Sequence, residues 1–167
     1  MPIPCNTSDP LMTAHLYPPA AVDRQDEPYV YDDGGRAEAG FKGEAGDCVV
    51  RAIAIAEQAP YTEIYEAIGV ASKQQRLLRE RGRSPRDGAL SRSNVRKFLA
   101  ARGWTWHPTM SIGTGCTTHL RADELPKGRI IVALSRHLAA VIDGVVHDNH
   151  DPSRDGTRCV YGYWSRE

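Results

Sequence analysis

From residue 29 onward the apolar positions follow two regimes: helical spacing up to Gly103 and alternation beyond it. Residues 48–58 are apolar on almost every face, Arg51 apart, which predicts a helix buried at the centre of a domain. Asp47 stands where an N-cap belongs, and Pro60 stops the helix. A second helix is expected from about Thr62, where Ile64, Ile68 and Ala71 recur at helical spacing and Leu77 and Leu78 extend the face. A third begins near Ser91 or Ser93, buries Val95, Phe98 and Leu99, and ends at Gly103.

Strand periodicity then takes over. Residues 104–106 read as a strand and 110–118 as a glycine-rich loop, followed by strands at 129–135, 137–142, 145–149 and 157–164. Asp143-Gly144, between the second and third of these, is a strong two-residue hairpin signal. Tyr29–Tyr31 is a further short strand candidate, and residues 36–46 are a glycine-punctuated loop. Helices followed by antiparallel strands predict an α+β domain over residues 29–167, its central helix near the N-terminus and its sheet towards the C-terminus. Residues 1–28 hold six of the eleven prolines and predict an extended arm.

Composition narrows the class. The chain of 167 residues is 41% hydrophobic and 25% charged, ordinary values for a globular protein. It contains no apolar run near the ~18 residues of a membrane span and no signal-peptide pattern, so a cytoplasmic protein is expected. Cys5, Cys48, Cys116 and Cys159 are far apart and form no Cys-x-x-Cys pair, which predicts free thiols rather than a disulfide framework or zinc ribbon. Charge is segregated although the net charge is zero. Residues 1–72 carry 12 acids and 4 bases, residues 73–102 carry 2 acids and 10 bases. The segment 73–102, with Arg79, Arg81 and Arg83 at its centre, is either a solvated face that complements the acidic part or a dock for an acidic partner. Nucleic acid is the other partner such a dock would take, although the segment lacks interleaved aromatics, which weakens a single-strand-binding version.

The cysteine at the start of the buried helix is the candidate centre of chemistry. A helix N-terminus favours a thiolate, and a cysteine nucleophile further needs a histidine base oriented by a third group. The hairpin selects that histidine. With Asp143-Gly144 as the turn, paired residue numbers sum to 287, so His137 lies opposite His150 and diagonal to Asp148 at roughly 6–8 Å. His137, Asp148 and His150 then share one side of the hairpin, and His147 and Asp151 the other. His147 and His150 therefore do not share a metal ion, and the loop 151–156 lacks calcium-loop spacing. Cys116, in a Gly-Thr-Gly-Cys-Thr-Thr loop, is a second and lesser candidate nucleophile, without a helix dipole.

A helix opened by Gly46-Asp47-Cys48, later helices and the hairpin Ser-Arg-His-Leu-Ala-Ala-Val-Ile-Asp-Gly-Val-Val-His-Asp (135–148) together resemble the papain-like cysteine peptidase superfamily, nearest its small bacterial and phage members. The resemblance covers residues 40–164 in outline. It implies Cys48 as nucleophile, His137 as general base and Asp148 as orienting acid, acting on a protein or peptide without metal or organic cofactor. One departure stands out. Many relatives carry glutamine or asparagine shortly before the cysteine to help bind the oxyanion, whereas this chain offers Lys42 and Glu44. Lys42, the Asp47 backbone N–H or the 110–118 loop are possible substitutes. A hydrolase, an acyltransferase on the same triad and a catalytically silent binding protein all remain open.

Overall fold

The computed structural model describes residues 29–78 and 92–167. The arm 1–28, Cys5, the loop 82–88 and Arg79, Arg81 and Arg83 lie outside the described residues. Among the described residues, three helices pack on a six-stranded sheet, an α+β arrangement. The helices are α1 (Cys48–Glu57), α2 (Tyr61–Leu78) and α3 (Arg92–Ala101). The strands are β1 (Tyr29–Tyr31), β2 (Thr105–Pro108), β3 (Arg129–Leu134), β4 (His137–Ile142), β5 (Val145–Asp148) and β6 (Gly162–Ser165), in the spatial order β1-β5-β4-β3-β6-β2.

Helix α1 is central for the reason its sequence suggests. Val50 and Ile53 are fully buried, and even Arg51 is only 4% exposed. Around α1, Ile64 and Ile68 of α2 and Val95 and Leu99 of α3 complete one core with Ile131 of β3 and Ala140 of β4. The alternate residues Ile130, Val132 and Leu134 of β3 and Ala139 and Val141 of β4 form a second core on the opposite sheet face, with Leu120, Leu125 and Val160.

The β4–β5 register is the expected one, with Ala140 opposite His147 and Ile142 opposite Val145. Asp143 and Gly144 both have positive φ, 53° and 91°, the conformation of a type I′ turn.

Four expectations are corrected. The sheet is not wholly antiparallel, because β1 pairs parallel with β5 at one edge. The last strand is short, since only Gly162–Ser165 is regular and Cys159 makes an isolated bridge with His119. Cys116 and Cys159 are joined in a disulfide, which leaves Cys48 as the free cysteine among the described residues. Spacing along the chain carried no sign of that pairing, because the 110–118 loop folds back beside residues 157–161 only through tertiary contacts such as Val160 N–H to the Thr118 carbonyl.

The fourth correction concerns Asp47. It precedes α1 and its carbonyl accepts from the Arg51 N–H, but its side chain makes no cap bond. The carboxylate is fully buried and is held by the Arg51 guanidinium, by the Tyr61 hydroxyl at 2.6 Å and by Arg36 at 3.3 Å. A charged carboxylate with three donors in the interior outcompetes a local bond to its own backbone.

Candidate active site

Cys48, His137 and Asp148 come together where the two cores meet at one end of the sheet. Alternation alone assigns His137 to the face of Ala139 and Val141, away from α1. Because His137 opens β4 and Asp148 closes β5, their side chains reach past the sheet end to the first turns of α1. There His137 stands beside the Cys48 thiol and hydrogen-bonds, through Nε2, Asp148 Oδ2 at 2.5 Å. The ring's Nδ1 is thereby left for the sulfur. The Leu138 backbone N–H also favours the ionised thiol.

These contacts set the charges. Burial works to raise the Cys48 pKa, but the bonds from His137 and Leu138 and the nearby Arg51 charge outweigh it and bring the thiol below its ordinary value. Burial works to lower His137, yet its bonds to Asp148 and Cys48 push it up to about 9. Asp148 is likewise pulled down against its burial by His137, by the Asn149 N–H and by Arg51. The three directions together favour the ionised arrangement, a thiolate facing an imidazolium that leans on a carboxylate.

Arg51 was legible only as the exception in an apolar helix, yet it ties the site to the core. One guanidinium nitrogen meets Asp47 and the other reaches Asp148 Oδ1 at 3.2 Å and Asn149 Oδ1 at 3.1 Å. Asp148 thus has one oxygen fixed by Arg51 and the Asn149 N–H, and the other aimed at His137. The position of Arg51, four residues after Asp47 on one helix face, is the signal that could have exposed it.

The site opens into a cleft of about 1450 Å³. Gly46 and Cys48 line it at the head of α1, Trp106, Leu138 and Trp164 supply apolar wall, and Met110, Ser111 and Ile112 form a side. Trp106 and Trp164 are a cross-strand pair with ring centres 4.4 Å apart, and these tryptophans serve as core and groove wall. The side of the cleft formed by residues 110–112 belongs to the loop held by the Cys116–Cys159 disulfide, and Cys116 therefore carries no free thiol.

With Asp47 turned inward, the first-turn N–H groups of α1 keep no side-chain cap. Cys48, the first residue of this turn, lines the cleft. Of the expected substitutes for the upstream amide, Lys42 does not line the cleft, whereas Ser111 of the 110–118 loop does.

His147 lies apart, its Nδ1 3.3 Å from Asp32, so the two histidines around Asp148 are His137 and His150. Ligand atoms of His137, Asp148 and His150 lie within 4.8 Å of one another. His137 and Asp148 already engage each other there, and Arg51 adds positive charge beside Asp148, so the trio fits a hydrogen-bonded site better than a cation centre.

Among the described residues, no helix is long and apolar enough to cross a membrane. No family model, no curated protein and no solved structure matches this chain.

Proposed function

We propose that the protein is a papain-like thiol hydrolase that cleaves an amide bond, most simply a peptide bond, with Cys48, His137 and Asp148 as its triad. The observation that carries this reading is the meeting of Cys48 and His137 at the cleft, with His137 bonded to Asp148 at 2.5 Å and raised to about 9. The Cys48 thiolate attacks the carbonyl carbon, and the Cys48 N–H at the open helix end receives the developing oxyanion. His137 gives its proton to the leaving amine as the C–N bond breaks, leaving a thioester on Cys48. Water, deprotonated by His137, then hydrolyses the thioester and restores the thiolate. Asp148 holds the ring in the orientation that serves both steps. An amine in place of that water would make the same site an acyltransferase.

A cytoplasmic setting belongs to this reading, with a condition attached. In a reducing cell Cys116 and Cys159 would be thiols, and the 110–118 loop would rest on its remaining bonds. A second reading, a silent protein that binds a partner in the same cleft, draws on Lys42 and Glu44 standing where relatives carry an amide donor. Alkylation by iodoacetamide separates the two. Cys48 should react at pH 6–7 well above the rate of an ordinary thiol, and His137→Ala should remove the excess. An ordinary rate in the unaltered chain would sink the hydrolase reading.

A further inference from the structure

The cleft carries charge that the triad does not use. Among its lining residues, Arg51 is matched by Asp47 and Asp148, and Glu44 is the lone acid outside the triad. Two arginines are left. Arg136 is exposed, immediately precedes His137 in the β3–β4 turn and makes no hydrogen bond or ion pair among the described residues. Arg96 projects from α3 over the Trp106 ring, its guanidinium carbon 4.5 Å from the ring centre, and has no acidic partner among the described residues.

Arg136 is also conformationally costly. Its φ is 58°, in the left-handed region that favours glycine or asparagine at a turn. A long cation held in that conformation at the lip of a cleft, beside the general base and without a partner among the described residues, is a strained residue whose side chain has no structural employment there. Arg96 lies in the basic segment 73–102, and the fold brings that end of the segment to the wall of the same cleft.

We infer that the cleft takes an acidic polypeptide segment, with one carboxylate met by Arg136 beside the scissile bond and a second met by Arg96. This deepens the hydrolase reading and rests on it for the position of the scissile bond. The spacing follows from the sheet. From β4, which carries His137, to β2, which carries Trp106, there are three interstrand steps through β3 and β6. At ~4.8 Å each they span about 14 Å, and an extended peptide covers that distance in about four residues. The two acids should therefore be about four residues apart, with apolar residues between them to meet Leu138, Trp164 and Trp106. Peptide is favoured over nucleic acid because the wall between the arginines is apolar and, among the described lining residues, only two cations are available for a phosphate backbone.

Internally quenched decapeptides test this, with Asp, Ala or Lys moved through every position on both sides of the cleaved bond. Asp next to the bond should raise kcat/KM about tenfold over Lys, and a second Asp about four residues away should raise it further. Arg136→Glu should cut the first preference below about twofold and Arg96→Glu the second, while Lys97→Glu on α3 should leave both in place. Equal cleavage of Asp and Lys peptides, or a preference untouched by both arginine variants, overturns the inference. The same peptides carrying fluorescein, bound to Cys48→Ala and read by anisotropy, decide the matter without catalysis. If no peptide is cleaved but acidic ones bind through Arg136 and Arg96, the docking inference stands and the hydrolase reading falls. Displacement of the bound peptide by single-stranded dT20 at equal concentration would assign the arginines to nucleic acid and overturn it.

Discussion

Arg51 joins Asp47 to Asp148, one guanidinium bridging the carboxylate that precedes the nucleophile and the carboxylate that orients the base. Arg51 and both carboxylates are buried, so their charges are compensated almost wholly by one another and by Tyr61, Arg36, Asn149 and His137. Truncation to Arg51→Ala should therefore cost about 3–5 kcal/mol in urea unfolding, the usual penalty for stranding buried charge. Arg51→Lys keeps the charge but cannot reach both acids with a planar fork. It should fold and yet label more slowly at Cys48, which separates positioning of Asp148 from bulk stability.

The pH dependence of turnover should show two limbs. The reactive pair needs Cys48 ionised, which its depressed pKa allows below the ordinary 9.0, and His137 protonated, which holds up to about 9. Activity should fall on the acid side as Cys48 protonates and on the alkaline side near pH 9 as His137 loses its proton. Asp148→Asn removes the main group holding the imidazolium, so its alkaline limb should move down towards 6.5. An unmoved limb would show that another group sets it.

Stability should follow the same histidine. Its folded pKa lies above its unfolded value of 6.5, so its contribution is complete below about pH 6.5 and is lost as pH rises through about 9. Urea midpoints measured from pH 6 to 10 should decline over that window, and His137→Ala should flatten the decline.

Much of this site is legible from residues close in sequence. Asp143-Gly144 fixes the hairpin register, and register alone brings His137 and Asp148 to one side. The sequence is silent where long-range competition decides. An aspartate before an apolar helix reads as a cap whether its side chain folds back or is captured, and here Arg36 and Tyr61, 11 and 14 residues away, take part in the capture. The Cys116–Cys159 pairing, across 43 residues, and the parallel seating of β1 on β5 likewise depend on contacts that no local pattern encodes.

Arg136 gives a stability prediction opposite in sign to its proposed role. Arg136→Gly relieves a left-handed φ that costs an L-residue about 1–2 kcal/mol, although glycine also gains freedom in the unfolded chain. A net stabilisation of about 0.5–1 kcal/mol is expected in thermal melts, together with weaker selection for acidic peptides.

The disulfide closes a loop of 43 residues, for which loss of unfolded-chain entropy corresponds to about 4 kcal/mol, with 2–4 usual in practice. In a Cys48→Ser background, where the remaining described cysteines are this pair, reduction should lower the urea midpoint accordingly. Because Met110, Ser111 and Ile112 line the cleft, peptide affinity should weaken under the same conditions.

Trp106 depends on the absence of a side chain on the neighbouring strand. A Cβ on Gly162 would stand 2.3 Å from the Trp106 ring and 2.7 Å from the His107 carbonyl. Gly162→Ala should displace the indole from the cleft wall, costing about 1–3 kcal/mol as an overpacked site and weakening peptide binding, read by Trp fluorescence and anisotropy together.

The inward turn of Asp47 leaves α1 as a helix with its first turn unfinished. Capping by a side chain stabilises a helix by about 1 kcal/mol, and α1 forgoes it at the turn that carries the thiol. Under the hydrolase reading, the missing acceptor is supplied from outside, by water in the resting protein and by the carbonyl oxygen during bond cleavage. The carboxylate released by hydrolysis is an anion of the kind such a helix end attracts. The product would thus be drawn to the place where the reaction began and would compete there with the next substrate.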